Sequence, residues 1–151
     1  MFLPGMLARG RTRVKMSAPG GLARPARWLS AAAWMGGIFY LSHQSSPIGT
    51  APGEAGSVLA HLGLFAGLAL LFSFALAGGG NPSDESPLWA VALLAFSLTV
   101  LYGVADETHQ AFVPGRVASE ADIALDAAGA VIGMTLAHVI SWRLNAREGC
   151  S

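Results

Sequence analysis

Residues 58–78 have the sequence VLAHLGLFAGLALLFSFALAG, and this stretch decides the fold class. It contains no Asp, Glu, Lys or Arg, and its one ionisable residue is His61. An α-helix needs about 20 mostly apolar residues to cross the hydrocarbon core of a bilayer. The stretch therefore predicts a membrane-spanning helix with a polar side chain near its start.

Three further stretches have a similar character. Residues 88–105 lack Asp, Glu, Lys and Arg, and residues 123–142 carry one acid, Asp126, near their start. Residues 28–41 form a shorter apolar run, which spans a bilayer only if Arg27 extends its charged end to the interface and the helix continues towards Gln44. We therefore predict an all-α, polytopic membrane protein, a bundle of four transmembrane helices.

The composition agrees with a membrane protein. Of 151 residues, 53% are apolar and 12% are charged, whereas a soluble domain has about 25% charged residues. This deficit excludes a disordered chain and a nucleic-acid binder with a basic surface, and it disfavours a water-soluble enzyme. The lone cysteine, Cys150, excludes an intrachain disulfide.

Charge placement predicts the orientation. Eight of the nine Lys and Arg residues lie within residues 1–27 or after residue 142, and the ninth is Arg116. Because basic residues accumulate on the cytoplasmic side, we expect both termini in the cytoplasm and a multi-pass protein of the cytoplasmic (inner) membrane.

Three segments follow from this placement. We expect residues 1–26 to be a disordered basic cytoplasmic arm, 27–143 the membrane domain and 144–151 a short cytoplasmic tail. The apolar run after Arg27 is long for a signal peptide and is not followed by a convincing cleavage site. Met16 is an equally good candidate for the start of the chain.

The polar residues between the termini gather at one membrane face. In the four-span topology they lie at the ends of spans one and three and the starts of spans two and four, on the outer side. They are His43, Gln44, His61, Asp106, Glu107, His109, Gln110, Arg116, Glu120, Asp122 and Asp126.

Asp126 is the most deeply placed acid. It shares a helix face with Asp122 and with a stripe of small residues, Gly129 and Gly133, that allows another helix to approach closely. An acid exposed to hydrocarbon costs about 2.5–3.5 kcal/mol on insertion scales. We therefore expect Asp126 to face the bundle interior, in one polar cluster with His61 and Glu107.

Several of these residues also have structural explanations. Ser119 and Asp122 match a helix-capping pattern, an explanation as probable as a functional one for Asp122. Arg116 serves equally well as a structural ion-pair partner. Glu107 lies at the C-terminal end of a helix, where the dipole disfavours an anion, so we expect a compensating partner such as Arg116 or a chemical role.

The motifs LSHQSSP (41–47), His61 and YGVADETHQAFVPGR (102–116), followed by Asp122 and Gly129, resemble the VanZ-like family over residues 28–142. The chain departs from the family pattern at Ser57 and Val58 in place of an Asp-Lys pair, at Leu64 in place of an acid, and at Asp126 in place of an Asn. The resemblance implies a membrane protein of a family named for a low-level teicoplanin-resistance factor, and it supplies a motif without a reaction.

The leading hypothesis is a site that binds or modifies an envelope substrate: a lipid-linked cell-wall precursor or an anionic head group. The alternative is a non-catalytic accessory membrane protein in which the same network is structural. An ion or proton pathway is disfavoured because the inner half of the bundle offers only His138. Beyond the lipid bilayer and such a substrate we expect no nucleic-acid partner, no cofactor and no metal. Candidate catalytic residues are Glu107, His61, Asp106 and His109; candidate substrate-binding residues are Arg116, Gln110, Asp122, Asp126 and Gln44.

Overall fold

A computed structural model describes residues 24–44, 54–77 and 87–148, and every regular element within these ranges is an α-helix. The four helices are α1 (Arg24–Ser42), α2 (Glu54–Leu76), α3 (Leu88–Gln110) and α4 (Glu120–Glu148). Helix α1 begins before residue 27, and α4 continues past residue 143. Residues 1–23 and 149–151, where most of the expected arm and the end of the expected tail fall, lie outside the described residues.

Successive helices run in opposite directions. Arg27 in the first turn of α1 donates hydrogen bonds to the carbonyls of Phe74 and Ala77 at the end of α2, both at 3.1 Å. The last carbonyls of a helix generally lack an intrahelical partner, so a guanidinium bonded to them caps α2. Near the opposite end, His61 of α2 bonds Asp126 of α4. The start of α2 therefore lies beside the start of α4.

Helix α2 is central and packs most extensively against α4. A Cβ atom added to Gly129 would lie 2.7 Å from the Leu62 carbonyl oxygen, and one added to Gly133 would overlap the carbonyl of Ala66. The two glycines therefore let the backbones of α2 and α4 come into direct contact, as the small-residue stripe predicts.

Helix α2 has two glycines at the same four-residue spacing, Gly63 and Gly67, and they differ in their surroundings. Gly67 lies against the indole ring of Trp34, whose Nε1 donates to the Leu64 carbonyl at 2.8 Å. Gly63 faces open space. Only Gly67 therefore allows a close approach, and the neighbour is a side chain of α1.

The polarity of the bundle is that of a membrane protein. Large apolar side chains such as Leu59, Leu93 and Leu101 are 59–70% exposed, whereas His61, Asp106, Glu107, Gln110 and Asp126 are buried. By length and composition, α2, α3 and α4 can cross a membrane, over Ala55–Leu76, Leu88–Gln110 and Glu120–Arg147. The chain is an all-α, multi-pass membrane protein, and a fourth span formed by α1 stays a prediction.

Candidate functional site

The end of the bundle where α1 and α3 finish and α2 and α4 begin is polar, and we call it the polar end. Most of the candidate site residues converge here, together with one serine that the sequence did not single out. The polar end comprises Ser42, His61, Asp106, Glu107, Gln110, Arg116, Asp122 and Asp126.

The closest contact at the polar end joins His61 to Asp126. Nδ1 of the imidazole lies 2.7 Å from Oδ1 of the carboxylate, and Asp126 is 1% exposed. Because a carboxylate only accepts, Nδ1 carries the hydrogen of this bond. Nε2 lies 3.8 Å from Oδ2 of Asp122, which is one helical turn nearer the end of the bundle. Asp126 therefore orients the imidazole ring of His61 and directs Nε2 to a second carboxylate.

Close packing of α3 holds Asp126 in place. A Cβ atom added to Gly103 would lie 2.7 Å from Oδ2 of Asp126 and 3.2 Å from its Cβ. Any larger residue at position 103 would displace the carboxylate. The sequence analysis did not identify Gly103, although a glycine four residues before Glu107 on one helix face is a recognisable signal of close approach.

Glu107 has a structural partner that the sequence did not predict. Its Oε2 accepts a hydrogen bond at 2.8 Å from the backbone N–H of Ser119, the residue before α4. In a capping box this N–H is bonded by the acid three residues later, here Asp122. Ser119 Oγ does accept from the Asp122 N–H, at 3.4 Å, but Glu107 of α3 supplies the carboxylate. The described partner of Glu107 is therefore the Ser119 N–H, and Glu107 takes the capping position that the sequence offers to Asp122.

The Asp122 carboxylate instead faces His61 and Glu107. One oxygen or nitrogen from each of the three side chains lies within 4.8 Å of the other two. Together with the His61–Asp126 bond, this confirms the predicted cluster of His61, Glu107 and Asp126. Three helices, α2, α3 and α4, meet in it.

A chain of hydrogen bonds forms the other half of the polar end. Ser42 of α1 donates to Oδ2 of Asp106 at 2.6 Å, and the Gln110 amide donates to the same oxygen at 2.9 Å. The amide oxygen of Gln110 accepts two bonds from Arg116, from Nε at 3.1 Å and Nη2 at 2.6 Å. Ser42 was not identified from the sequence. Arg116 thus pairs with an amide and not, as expected, with Glu107.

A tight turn brings Arg116 back to α3. The Arg116 N–H bonds the Val113 carbonyl at 3.1 Å, and Gly115 has a φ of +83°. Proline followed by a glycine of positive φ is the sequence of a type II turn, here formed by Pro114 and Gly115. The turn positions the guanidinium over the end of α3.

Two candidate residues lie apart from this network. His109 bonds His43 at 3.3 Å and packs against Phe39, so it faces α1 and not Glu107. The Gln44 amide bonds the Tyr40 carbonyl of its own helix at 3.2 Å and serves as a local cap. Among the described contacts, His61 and not His109 is the imidazole beside Glu107.

The polar end has an excess of buried negative charge. Asp106, Glu107 and Asp126 are 4%, 2% and 1% exposed, and each has one oxygen without a hydrogen-bond partner in the part of the chain that the structure describes. Those oxygens are Asp106 Oδ1, Glu107 Oε1 and Asp126 Oδ2. Buried polar atoms are almost always bonded, so unpartnered ones at a cluster indicate a ligand or a chemical role.

Comparison with known proteins gives one match. The family model described as VanZ/LLP1 matches residues 27–141, which include all four helices nearly from end to end. No curated protein and no solved structure matches the chain. Every residue of the polar end lies within the matched range.

Proposed function

The chain belongs to the VanZ/LLP1 family, and on that premise we propose that its polar end faces the outside of the cytoplasmic (inner) membrane and binds or acts on an envelope substrate. The substrate class is a lipid-linked cell-wall precursor or another lipid with an anionic head group. Glycopeptide susceptibility is the phenotype in which we expect this activity to appear.

The observation that carries the proposal is the group of buried, incompletely bonded carboxylates at one end of a membrane bundle. Keeping Asp106, Glu107 and Asp126 in an apolar surrounding costs free energy, and membrane proteins retain such groups mainly at functional sites. A purely structural network would leave fewer oxygens unbonded, because each one costs about 1–3 kcal/mol.

Arg116 is suited to hold the head group. Gln110 bonds its Nε and Nη2, which fixes the plane of the guanidinium, and Nη1 is not bonded to any described residue. A half-buried, preoriented guanidinium forms strong charge-assisted bonds with phosphate or carboxylate. Arg116 therefore supplies affinity for an anionic group at the membrane surface.

Glu107 is suited to transfer a proton. Oε2 is fixed by the Ser119 N–H, while Oε1 is unbonded among the described residues. His61 lies beside it and is itself oriented by Asp126. A carboxyl group held by one oxygen and free at the other has the arrangement of a general acid or base.

The outward orientation rests on charge. Arg24, Arg27, Arg143 and Arg147 lie in the opposite halves of α1 and α4, and the other basic residues apart from Arg116 precede residue 24 in the sequence. The positive-inside rule then assigns the polar end to the outer face.

A second function has its own supporting observation. Ser42, Asp106, Gln110 and Arg116 tie α1, α3 and the following turn together, and Glu107 caps α4. A network that links this many elements is what an accessory, non-catalytic membrane protein needs to keep one bundle geometry. In that case carboxylate chemistry is dispensable.

The variant Glu107→Gln separates the two functions. The Gln amide oxygen accepts the Ser119 N–H, so the cap survives while the charge and the proton-transfer capacity are lost. The control is Glu120→Gln, which removes an exposed carboxylate from the first turn of α4. Each variant is expressed in a strain lacking the native protein, and glycopeptide susceptibility and membrane abundance are measured together.

Loss of the phenotype in Glu107→Gln at normal abundance, with Glu120→Gln unchanged, supports an active site. An unchanged phenotype in both variants contradicts the catalytic role and favours the accessory protein. Arg116→Gln provides a second test, because it removes the head-group ligand and leaves Glu107 in place.

A further inference from the structure

We propose that His61, Glu107 and Asp122 form a binding site for one divalent transition-metal ion. This goes beyond the proposed function, which needs no metal, and it departs from the sequence-based expectation that no metal binds. One candidate ligand atom from each side chain lies within 4.8 Å of the other two.

The distances are close to those of a metal centre. Zinc lies about 2.0–2.2 Å from imidazole nitrogen and carboxylate oxygen, so two ligands in a tetrahedral site are about 3.3 Å apart. Nε2 of His61 and Oδ2 of Asp122 are 3.8 Å apart. A contraction of about 0.5 Å, which a side-chain rotation can provide, brings this pair to the bonding geometry.

The bonding state of His61 is the second argument. A metal-binding histidine almost always donates its other ring N–H to a carboxylate or carbonyl, which fixes the tautomer and the ring orientation. Here Asp126 accepts from Nδ1 at 2.7 Å, and Nε2 lies 3.8 Å from Oδ2 of Asp122. The ring also stacks on Phe65, with an interplanar angle of 5°, which limits its rotation.

The third argument is Glu107, which is 2% exposed and has an oxygen, Oε1, without a partner among the described residues. Its other oxygen is held by the Ser119 N–H. A metal ion in contact with Oε1 satisfies that atom without disturbing the cap. It also offsets part of the negative charge of Glu107, Asp122 and Asp126, which no Lys or Arg contacts within the described residues.

The types of ligand indicate which metal ions can bind. Calcium and magnesium take oxygen ligands, whereas imidazole suits zinc, copper, iron or nickel. Three protein ligands leave at least one coordination position for water or a substrate oxygen. We therefore expect Zn²⁺ to bind at least 100-fold more tightly than Ca²⁺.

The test uses the full chain without a polyhistidine tag, purified in detergent and stripped with EDTA. Zn²⁺ alone is titrated in competition with a chromophoric chelator, and Co²⁺ absorption reports the coordination. We expect one Zn²⁺ per chain and at least tenfold weaker binding in Asp122→Asn, whose side chain is 24% exposed and tolerates the change. Asp126→Ala, which removes the acceptor that orients His61, is expected to weaken binding 10- to 100-fold.

Glu120→Gln is the matched control, because Glu120 lies in the same turn of α4 as Asp122 but is not one of the three proposed ligands, His61, Glu107 and Asp122 (the trio). Its affinity should equal that of the unaltered chain. The proposal is overturned if the unaltered chain fails to bind Zn²⁺, if Asp122→Asn and His61→Gln bind as tightly as it does, or if Glu120→Gln weakens binding equally. None of these outcomes depends on the envelope phenotype, so this test and that of the proposed function fail separately.

Discussion

Replacing Asp126 with alanine is the most informative perturbation of the bundle itself. The change removes the acceptor of the His61 Nδ1–H, which lies 2.7 Å from Oδ1 in a region that is almost fully buried. No other acceptor for this N–H is described. The histidine is then left with a buried donor that has lost its protein partner.

The magnitude follows from that geometry. A buried donor without a partner costs about 1–3 kcal/mol, whereas replacing both partners with apolar groups of similar shape is nearly neutral. We therefore expect Asp126→Ala to lower the free energy of unfolding by about 1–3 kcal/mol. In a His61→Phe background the same change should cost less than about 1 kcal/mol, because the donor is gone and Phe stacks on Phe65 as His61 does.

The assay is a double-mutant cycle of unfolding free energies in mixed detergent micelles, with EDTA present so that metal binding does not contribute. A coupling energy of about 1–3 kcal/mol between positions 61 and 126 is the predicted result. If Asp126→Ala lowers the free energy of unfolding equally with His61 and with Phe at position 61, the two side chains do not interact. That result would refute the hydrogen bond between His61 Nδ1 and Asp126.

Three further outcomes follow from the packing, the cap and the topology. Gly133→Ala drives a Cβ into the Ala66 carbonyl and should cost about 1–3 kcal/mol in unfolding free energy, whereas Gly63→Ala, in open space, should be neutral or stabilising; equal effects would contradict the α2–α4 contact. Glu107→Ala removes the acceptor of the Ser119 N–H and should cost about 0.5–2 kcal/mol, while Glu107→Gln should cost less; equal thermal stability of Glu107→Ala and the unaltered chain would exclude the cap. Reporter fusions at the N- and C-terminus should both report the cytoplasm, and an external N-terminus would show that α1 does not span.

The spans and the polar end could be predicted from the sequence because a bilayer restricts both the structure of apolar stretches and the position of polar side chains. Long apolar stretches such as residues 58–78 have few alternatives to a spanning helix. Polar side chains at membrane depth face inward and gather, so the proximity of His61, Glu107 and Asp126 followed from their depth alone.

The hydrogen-bond partners of the polar-end residues could not be predicted from the sequence. They depend on how each helix is rotated about its axis and on the path of the connection before α4. Glu107 bonds Ser119 only because residues 111–119 fold back over the end of α3. The separation of His109 from Glu107 could have been predicted from the sequence, since two residues turn a helix by about 200°. Asp106, about 100° from Glu107, likewise faces Ser42 of α1 and not the trio.

The central claim is that the polar end faces the outside of the cell, and cysteine labelling tests it most directly. The chain has one cysteine, Cys150, at the predicted cytoplasmic end, and Phe112, which is 82% exposed, lies beside the polar end. Phe112→Cys is made in a Cys150→Ser background, and a membrane-impermeant maleimide is added to intact spheroplasts. We predict labelling of the cysteine at position 112 in intact spheroplasts, and of native Cys150 only after permeabilisation. The opposite pattern would place the polar end in the cytoplasm and contradict the account.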